Sequence, residues 1–544
     1  MKSISMQIKE KPSLYNIFFV LLLLLCFLSY AWKISHGFDI DEQYAISMMW
    51  RFSIGDRYLI DVFDPYQFSA YLMFPLWKAS AFFFRNPLFG YRSLCVLITV
   101  LISIYIFFSI FVVSNNFYFS FLFTLVWFTA LPKSIVSIEH SRLLYVFLSI
   151  LLINIYHWSI YNDRQISIGL CFVAISLCYP TMVLIGVLIL ALFIYKKDYV
   201  GILKIFIVCV CFLLIFLIPL YISIGGKGVL NSIRVVLMDG SHKASLKSIV
   251  DKSCNEFKTL FIYCIKILLC FIVYKVITQF SFFKKYIKCS DLCAICSIPF
   301  LLIIFQLIFQ KIFPLYDYSR YLLMLIVGCT LKNNYRKEPI LFLKIIIASV
   351  FAISYFSSNN GFLSASGNIM MSVIFIVIYF YRYKSIRESM IFLTTVLLSQ
   401  CATMVLSARL SGSMSDSVFS SNLIRNNTYL SSIWIEKNTE SVLNSMDSIS
   451  TKIESENILF CGRDVYFYPL LGRNIYAPVT TATPVYNEQW EWYFDTHYVK
   501  DVDLIIENDD LDKNQLIGIL KTYFLFEKVP VESNLFLYHL YRVK

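Results

Sequence analysis

Apolar runs of about twenty residues recur along this chain, separated by short polar clusters, and this punctuation limits the possible folds more than any other feature. Wound as a helix, a run of that length matches the hydrocarbon thickness of a bilayer. The clearest are 17–31, 205–222 and 340–353. Of 544 residues, 58% are hydrophobic and the mean hydropathy is +0.68, more apolar surface than one soluble core can hide. The expected class is an α-helical polytopic membrane protein.

Candidate spans fall at 14–34, 92–113, 117–134, 142–160, 166–195, 205–224, 258–280, 291–313, 320–331, 340–357, 369–381 and 390–407. The segment 166–195 is too long for one span and carries Tyr179-Pro180-Thr181 near its middle. Proline lacks the amide donor and clashes with the preceding turn, so we expect two short helices meeting there. Charge supports the split, because Lys and Arg gather on cytoplasmic loops and each extra crossing inverts every later loop. With the N-terminus inside, the clusters at Lys2, Lys9 and Lys11, at Lys196, Lys197 and Lys204, at Lys284, Lys285 and Lys288, at Lys332, Arg336 and Lys337, and at Arg382, Lys384 and Arg387 share one side. The expectation is about 13 crossings and an external C-terminus.

The basic start and apolar run of residues 1–30 contain no small-residue cleavage site before the first loop, so an uncleaved first span is expected. A membrane domain then covers 1–407, with a first external loop at 35–90 and a second external segment at 225–257. An external α/β domain covers 408–544, opening on a Ser-rich stretch at 411–421. Within it, 457–461 and 502–506 read as buried strands, 513–526 as a helix and 534–541 as a closing strand.

The net charge of +12 sits in small groups beside apolar runs, where it anchors helix ends, and this excludes a nucleic-acid partner. The 15 Cys lie mostly inside apolar stretches without zinc or disulfide spacing, and read as small hydrophobes.

Three places carry chemistry. Asp39-Ile40-Asp41-Glu42 follows the first span and precedes an expected helix near Asp41; it reads either as an acidic cap or as a source of a general base. Glu139 and Arg142 lie in the external turn Ser137-Ile138-Glu139-His140-Ser141-Arg142, where they form either an interfacial pair or part of a site. Arg320, in Tyr318-Ser319-Arg320-Tyr321 at an external span mouth, either reaches for lipid headgroups or grips a phosphate through paired hydrogen bonds. Lys243 and Lys247 are further external cations, and Trp490-Glu491-Trp492-Tyr493-Phe494 either stacks on sugars or packs its domain against the membrane surface.

An Asp-Glu pair after the first span, an acidic residue after the third and a late Arg-Tyr before an apolar span resemble GT-C superfamily glycosyltransferases, along most of the chain. The resemblance implies Asp41 as catalytic carboxylate, Glu42 as its motif partner, Glu139 as second acidic position and Arg320 as a contact to the donor phosphate; Asp39, an addition to the family pattern, and the external cation Arg142 are further candidates for substrate binding. Asp39 and Asp41 both remain candidates for the base. It also implies a polyprenyl-phosphate sugar donor, a glycan or lipid-linked acceptor, and a multi-pass place among the lipids of a bacterial inner membrane, with the C-terminal domain periplasmic. The layout is similar to serotype-converting O-antigen glucosyltransferases, which makes a surface glycan hydroxyl the expected acceptor. No cofactor is called for, although paired carboxylates suit a divalent metal. A lipid-linked oligosaccharide polymerase or ligase would share this layout but use external Arg and His, and a glycolipid transporter would replace the acidic loop with an alternating-access core.

Overall fold

The computed structural model describes residues 14–132, 135–237, 246–279, 291–308, 321, 324–325, 338–357, 374–376, 378, 386–406, 421–423, 430, 433–436, 446, 448–462, 465, 467–480, 487–506, 515–531 and 535–543. In chain order its helices run α1 (Leu14–Ile34), α2 (Ile40–Ile54), α3 (Gln67–Phe83), α4 (Pro87–Ser114), α5 (Phe117–Thr129), α6 (His140–Tyr161), α7 (Gln165–Cys178), α8 (Ile185–Tyr195), α9 (Tyr199–Leu237), α10 (Leu246–Gln279), α11 (Asp291–Ile308), α12 (Glu338–Ser357) and α13 (Ile386–Leu406). Seven of the described helices are long and apolar enough to cross a membrane: α1, α4, α6, α9, α10, α12 and α13. With shorter apolar helices in α5, α7, α8 and α11, the chain is a multi-pass membrane protein. The expected spans at 320–331 and 369–381 lie almost wholly outside the described residues.

The packing of α4 shows how sequence becomes membrane architecture. Leu97, Leu101, Ile104 and Phe108, three or four residues apart, form an exposed apolar stripe, while Cys95, Thr99, Ser103, Ile106 and Ile110 are buried against neighbouring helices. Two of the buried hydroxyls return to their own helix, Thr99 donating to the Cys95 carbonyl (2.8 Å) and Ser103 to that of Thr99 (2.7 Å), so neither donor is left unmet in an apolar setting. One core joins α1, α5, α6, α12 and α13 around residues such as Leu122, Leu148, Ile346 and Leu397.

The expected break at Pro180 is present: α7 ends at Cys178 and a 3₁₀ turn, Pro180–Leu184, leads into α8. The segment 225–257, expected as a second external segment, is helical in its described residues. Helix α9 continues through a kink at Gly225 (φ 69°, ψ 171°) to Leu237, and α10 begins at Leu246. A glycine takes this positive φ without strain and lets the chain turn and stay helical.

The C-terminal region holds β1 (Ser421–Leu423), β2 (Trp434–Glu436), β3 (Asn457–Cys461), α14 (Phe467–Leu471), β4 (Asn474–Ile475), α15 (Asn487–Thr496), β5 (Asp501–Ile506), α16 (Gln515–Tyr523), β6 (Phe524–Val529) and β7 (Phe536–Arg542). Five strands pair in the order β4-β3-β5-β7-β6, parallel from β4 to β5 and antiparallel on both sides of β7. Ile458, Leu459 and Phe460 are all buried on consecutive positions, the pattern of a strand covered on both faces. The last strand lies inside the sheet between β5 and β6, and the expected helix at 513–526 gives way at Phe524 to β6.

This sheet region is fused to the α1–α4 connection through one core, shared by Phe38, Ile46 and Trp77 with Ile433, Tyr468 and Trp490. Backbone bonds reinforce it: Gly37 N–H to the Trp434 carbonyl (2.8 Å), Trp434 N–H to Ser35 (2.7 Å) and Phe63 N–H to Pro478 (2.8 Å). Trp490, Tyr493 and Phe494 are buried there and Trp492 meets Phe63 edge-on at 5.0 Å. The aromatic cluster therefore holds the C-terminal region to the α1–α4 connection.

Candidate active site

Helix α2 starts where its sequence sets a cap. Asp39 adopts an extended backbone (φ −75°, ψ 151°) and its Oδ1 accepts from the Asp41 N–H at 2.9 Å, meeting one of the amides that a helix start leaves open. At the far end Gly55, at φ 117°, donates its N–H to the Arg51 carbonyl and closes the helix in the left-handed region.

Arg92, on the first turns of α4, ties the end of α1 to the start of α2. Its Nε reaches Glu42 Oε1 at 2.8 Å and one Nη reaches Oε2 at 2.6 Å, while the other Nη meets the Ile34 carbonyl at 2.6 Å. The Gly37 carbonyl accepts as well, and Ser137 donates to Glu42. Both partners are 2% exposed, so this two-pronged pair is sealed from water. Glu42 thus joins the start of α2 to α4 and, through Arg92, to the end of α1.

Between these groups lies a recess lined by Lys33, His36, Gly37, Asp39, Glu42, Arg92, Ile135 and Val136. Asp41 stands half-buried on the first turn of α2 and is not part of that lining. The imidazole of His36 stacks on Trp32 (centroids 4.1 Å apart, 17° between planes) and lies parallel to Trp434 (5.6 Å, 4°). Burial pushes its pKa below the usual histidine value, the Trp32 carbonyl opposes this, and the cations Lys33 and Arg92 add to the fall.

Glu139 caps α6, accepting from the Ser141 N–H at 2.7 Å and the Arg142 N–H at 3.0 Å. Its Oε2 is 2.8 Å from His140 Nδ1, and the His140 ring stacks on Tyr66 at 4.2 Å. The buried guanidinium of Arg142 donates instead to neutral oxygens: the Ile135 carbonyl (3.2 Å), the Tyr30 hydroxyl (3.1 Å) and the Thr99 hydroxyl (3.3 Å). Among the described residues no carboxylate pairs with it. Ile135 is also a wall of the recess, which puts Arg142 one residue behind it. Arg320, His242 and Lys243 lie outside the described residues, as does the side chain of Lys247. Among the described residues no group of three or more His, Cys, Asp or Glu is arranged to hold a metal.

Sequence reasoning did not single out Lys33, His36, Arg92 or Asp64. One signal was present: Lys33 lies at the C-terminal end of the first run, the end expected from the charge distribution to face outside, where few basic anchors are expected. Asp64 is 1% exposed and joins three segments, accepting from the Tyr44 hydroxyl of α2 and from the Thr480 N–H (3.0 Å) and hydroxyl (2.9 Å) of the sheet region. Burial raises its pKa, against hydrogen bonds from Tyr44 and Thr480 and the charge of Arg51. Helix α2, which carries the acidic turn, is further fixed by Ser47 donating to the Val465 carbonyl (2.6 Å) and Trp50 to that of Arg473 (3.2 Å).

No protein-family model and no curated protein matches the sequence. Among solved structures, the chain is similar to ArnT from Cupriavidus metallidurans bound to undecaprenyl phosphate, with a TM-score of 0.49 and 11% sequence identity, over 96% of this chain and 98% of that one.

Proposed function

We propose that this protein is a GT-C-type glycosyltransferase that moves a sugar from a polyprenyl-phosphate donor to a hydroxyl, at the external face of the membrane. The observation that carries the reading is the recess at the end of α1, where Asp39 of the acidic turn meets Lys33, His36 and the Glu42–Arg92 pair. A donor with an apolar tail and an anionic head needs a site at the end of an apolar helix, with cations for the phosphate and a carboxylate for the acceptor. The carboxylate removes the acceptor hydroxyl's proton, directly or through a neighbouring base, as the bond to the anomeric carbon forms. Phosphate leaves readily, and Lys33 and Arg142 meet its charge in a site shielded from water. In this reading the base comes from Asp39 or Asp41, and the lining of the recess favours Asp39. Glu139 orients the start of α6, and Arg320 remains a donor contact implied by the family resemblance.

The external orientation follows from the distribution of basic residues. No nucleotide sugar is supplied on that face of a bacterial inner membrane, which favours the lipid-linked donor. For the acceptor we propose a hydroxyl of a lipopolysaccharide O-antigen or a related surface glycan, with the transferred unit a hexose.

The test is sugar transfer in membranes supplied with a polyprenyl-phosphate sugar, comparing Asp39→Asn with Asp41→Asn. Asparagine caps a helix as well as aspartate does, so Asp39→Asn removes the charge and keeps α2. The variant lacking the working carboxylate should lose about 10²-fold or more in kcat. Full turnover by both variants would sink the mechanism.

A further inference from the structure

We propose that His36 is a further catalytic residue of this site, the group whose Nε2 receives the acceptor hydroxyl's proton. This rests on the transfer reading above and names the end point of the proton.

The hydrogen bonds fix the tautomer. Nδ1 lies 2.7 Å from the Trp32 carbonyl and 3.0 Å from Ser35 Oγ. A carbonyl only accepts, and the Ser35 hydroxyl already donates to the same Trp32 carbonyl at 2.9 Å, so the proton must be on Nδ1. Nε2 of the neutral ring is then a bare lone pair. Among the described residues nothing hydrogen-bonds it, although His36 is 4% exposed and is one of the residues that line the recess. The indoles of Trp32 and Trp434 hold the ring, and the backbone bonds of Gly37 and Ser35 to Trp434 pin the chain on either side. An imidazole oriented in this way, with one nitrogen anchored on a carbonyl and the other open, is arranged as a general base.

Charged groups face the ring from each element around it: Lys33 from α1, Asp39 and Glu42 from the α2 start, and Arg92 from α4. Burial, with Lys33 and Arg92, keeps the imidazole neutral near pH 7. The ordinary imidazole range lies above that of a carboxylate and closer to neutral pH, which suits the ring type to this step. In the step, the acceptor O–H bond breaks and its proton goes to Nε2. The acceptor oxygen bonds to the anomeric carbon, and the bond from that carbon to the phosphate oxygen breaks with its electron pair staying on phosphate. The carboxylate orients the hydroxyl and offsets the imidazolium charge, and the imidazolium then returns its proton to water.

The experiment is the pH profile of kcat/KM for His36→Gln in membranes supplied with a polyprenyl-phosphate sugar. Glutamine keeps a hydrogen-bonding group at the end of the side chain and does not titrate. Wild type should show an acid limb below the usual histidine range, with rate rising as pH rises. His36→Gln should lose about 10²-fold or more in kcat, keep the donor KM, and lose that limb. If its melting temperature in detergent falls, His36→Phe, which preserves a ring between the two indoles, carries the same comparison. A wild-type kcat with an unmoved acid limb in either variant overturns the role of His36 alone. A wild type that transfers no sugar overturns the transfer reading and the role of His36 with it.

Discussion

Arg92 and Arg142 are both 2% exposed, both near the end of the membrane core that holds the recess, and they are treated in opposite ways. Arg92 faces the α1–α2 corner and is neutralised by both oxygens of Glu42. Arg142, on α6, is held by a carbonyl and two hydroxyls. Desolvating a guanidinium is costly, and a carboxylate partner offsets the cost where neutral oxygens do so only in part. The difference separates a charge neutralised within the fold from one that, among the described residues, has only neutral oxygens around it, which is the ground for proposing Arg142 as an anion contact.

The largest effect should follow from breaking the neutralised pair. Arg92→Met leaves Glu42 buried without its partner, and we expect a loss of about 3–5 kcal/mol, read as a fall in melting temperature in detergent. Adding Glu42→Leu should restore most of it, because two apolar side chains replace a buried pair at little cost. Equal losses in single and double variants would mean that the pair contributes nothing beyond shape. Arg142→Met should cost less, about 1–2 kcal/mol, since the lost hydrogen bonds are partly offset by removal of a desolvated charge. Binding of polyprenyl phosphate should weaken about tenfold or more, the loss of one charge-assisted contact. A stability loss as large as that of Arg92→Met, with binding intact, would erase the distinction.

The contrast was half legible in the sequence. Hydropathy and charge pointed to the spans, the break at Pro180 and the helix starting beside Asp41, because these are local consequences of a missing donor, a cap and a bilayer-length run. The strands at 457–461 and 502–506 were readable for the same reason. What could not be read was which acidic residue is bound by what. Glu42 and Arg92 are fifty positions apart, and only the packing of α2 on α3 and of α3 on α4 brings them together. Arg92 at the head of an apolar run looks like any interfacial anchor, and His36 gains its orientation from Trp434 nearly four hundred residues away. Gly225 hid the helical course of 225–237, because a Gly-Gly pair after an apolar run reads as the end of a span.

A middle-sized effect is expected where α2 meets the sheet region. Asp64→Asn turns an amide N–H₂ towards hydroxyl or amide donors, leaving a buried donor unmet, at about 1–3 kcal/mol. Its pH dependence has a definite sign. Burial holds the folded carboxyl above its unfolded value, so between the two values the folded state binds more protons. That contribution is complete below the unfolded value and is lost as pH rises through the folded one. Melting wild type and Asp64→Asn side by side should show the wild-type advantage shrinking with rising pH; an advantage that grows would reverse the assignment.

The smallest effect should come from the exposed counterpart of these pairs. Arg57 meets Asp61 at 3.0 Å four residues on, in the loop after α2, with 59% of the Arg57 side chain exposed. Burial raises the Asp61 carboxyl, but hydrogen bonds from His497 and Arg57 outweigh it and hold the group well below the usual range. Its stabilisation is therefore complete above the unfolded value and lost on acidification, the opposite sign to Asp64. Solvent screening still makes the Arg57 contact weak: Arg57→Ala should cost about 0.5 kcal/mol or less at neutral pH, and less again in high salt. His497, 3.7 Å from Asp61 and 3.0 Å from the Ile60 carbonyl, keeps this corner on the sheet region after Arg57 is gone. A loss approaching that of Arg92→Met would show that exposure does not rank these arginines, and the reading of Arg142 would lose its physical basis.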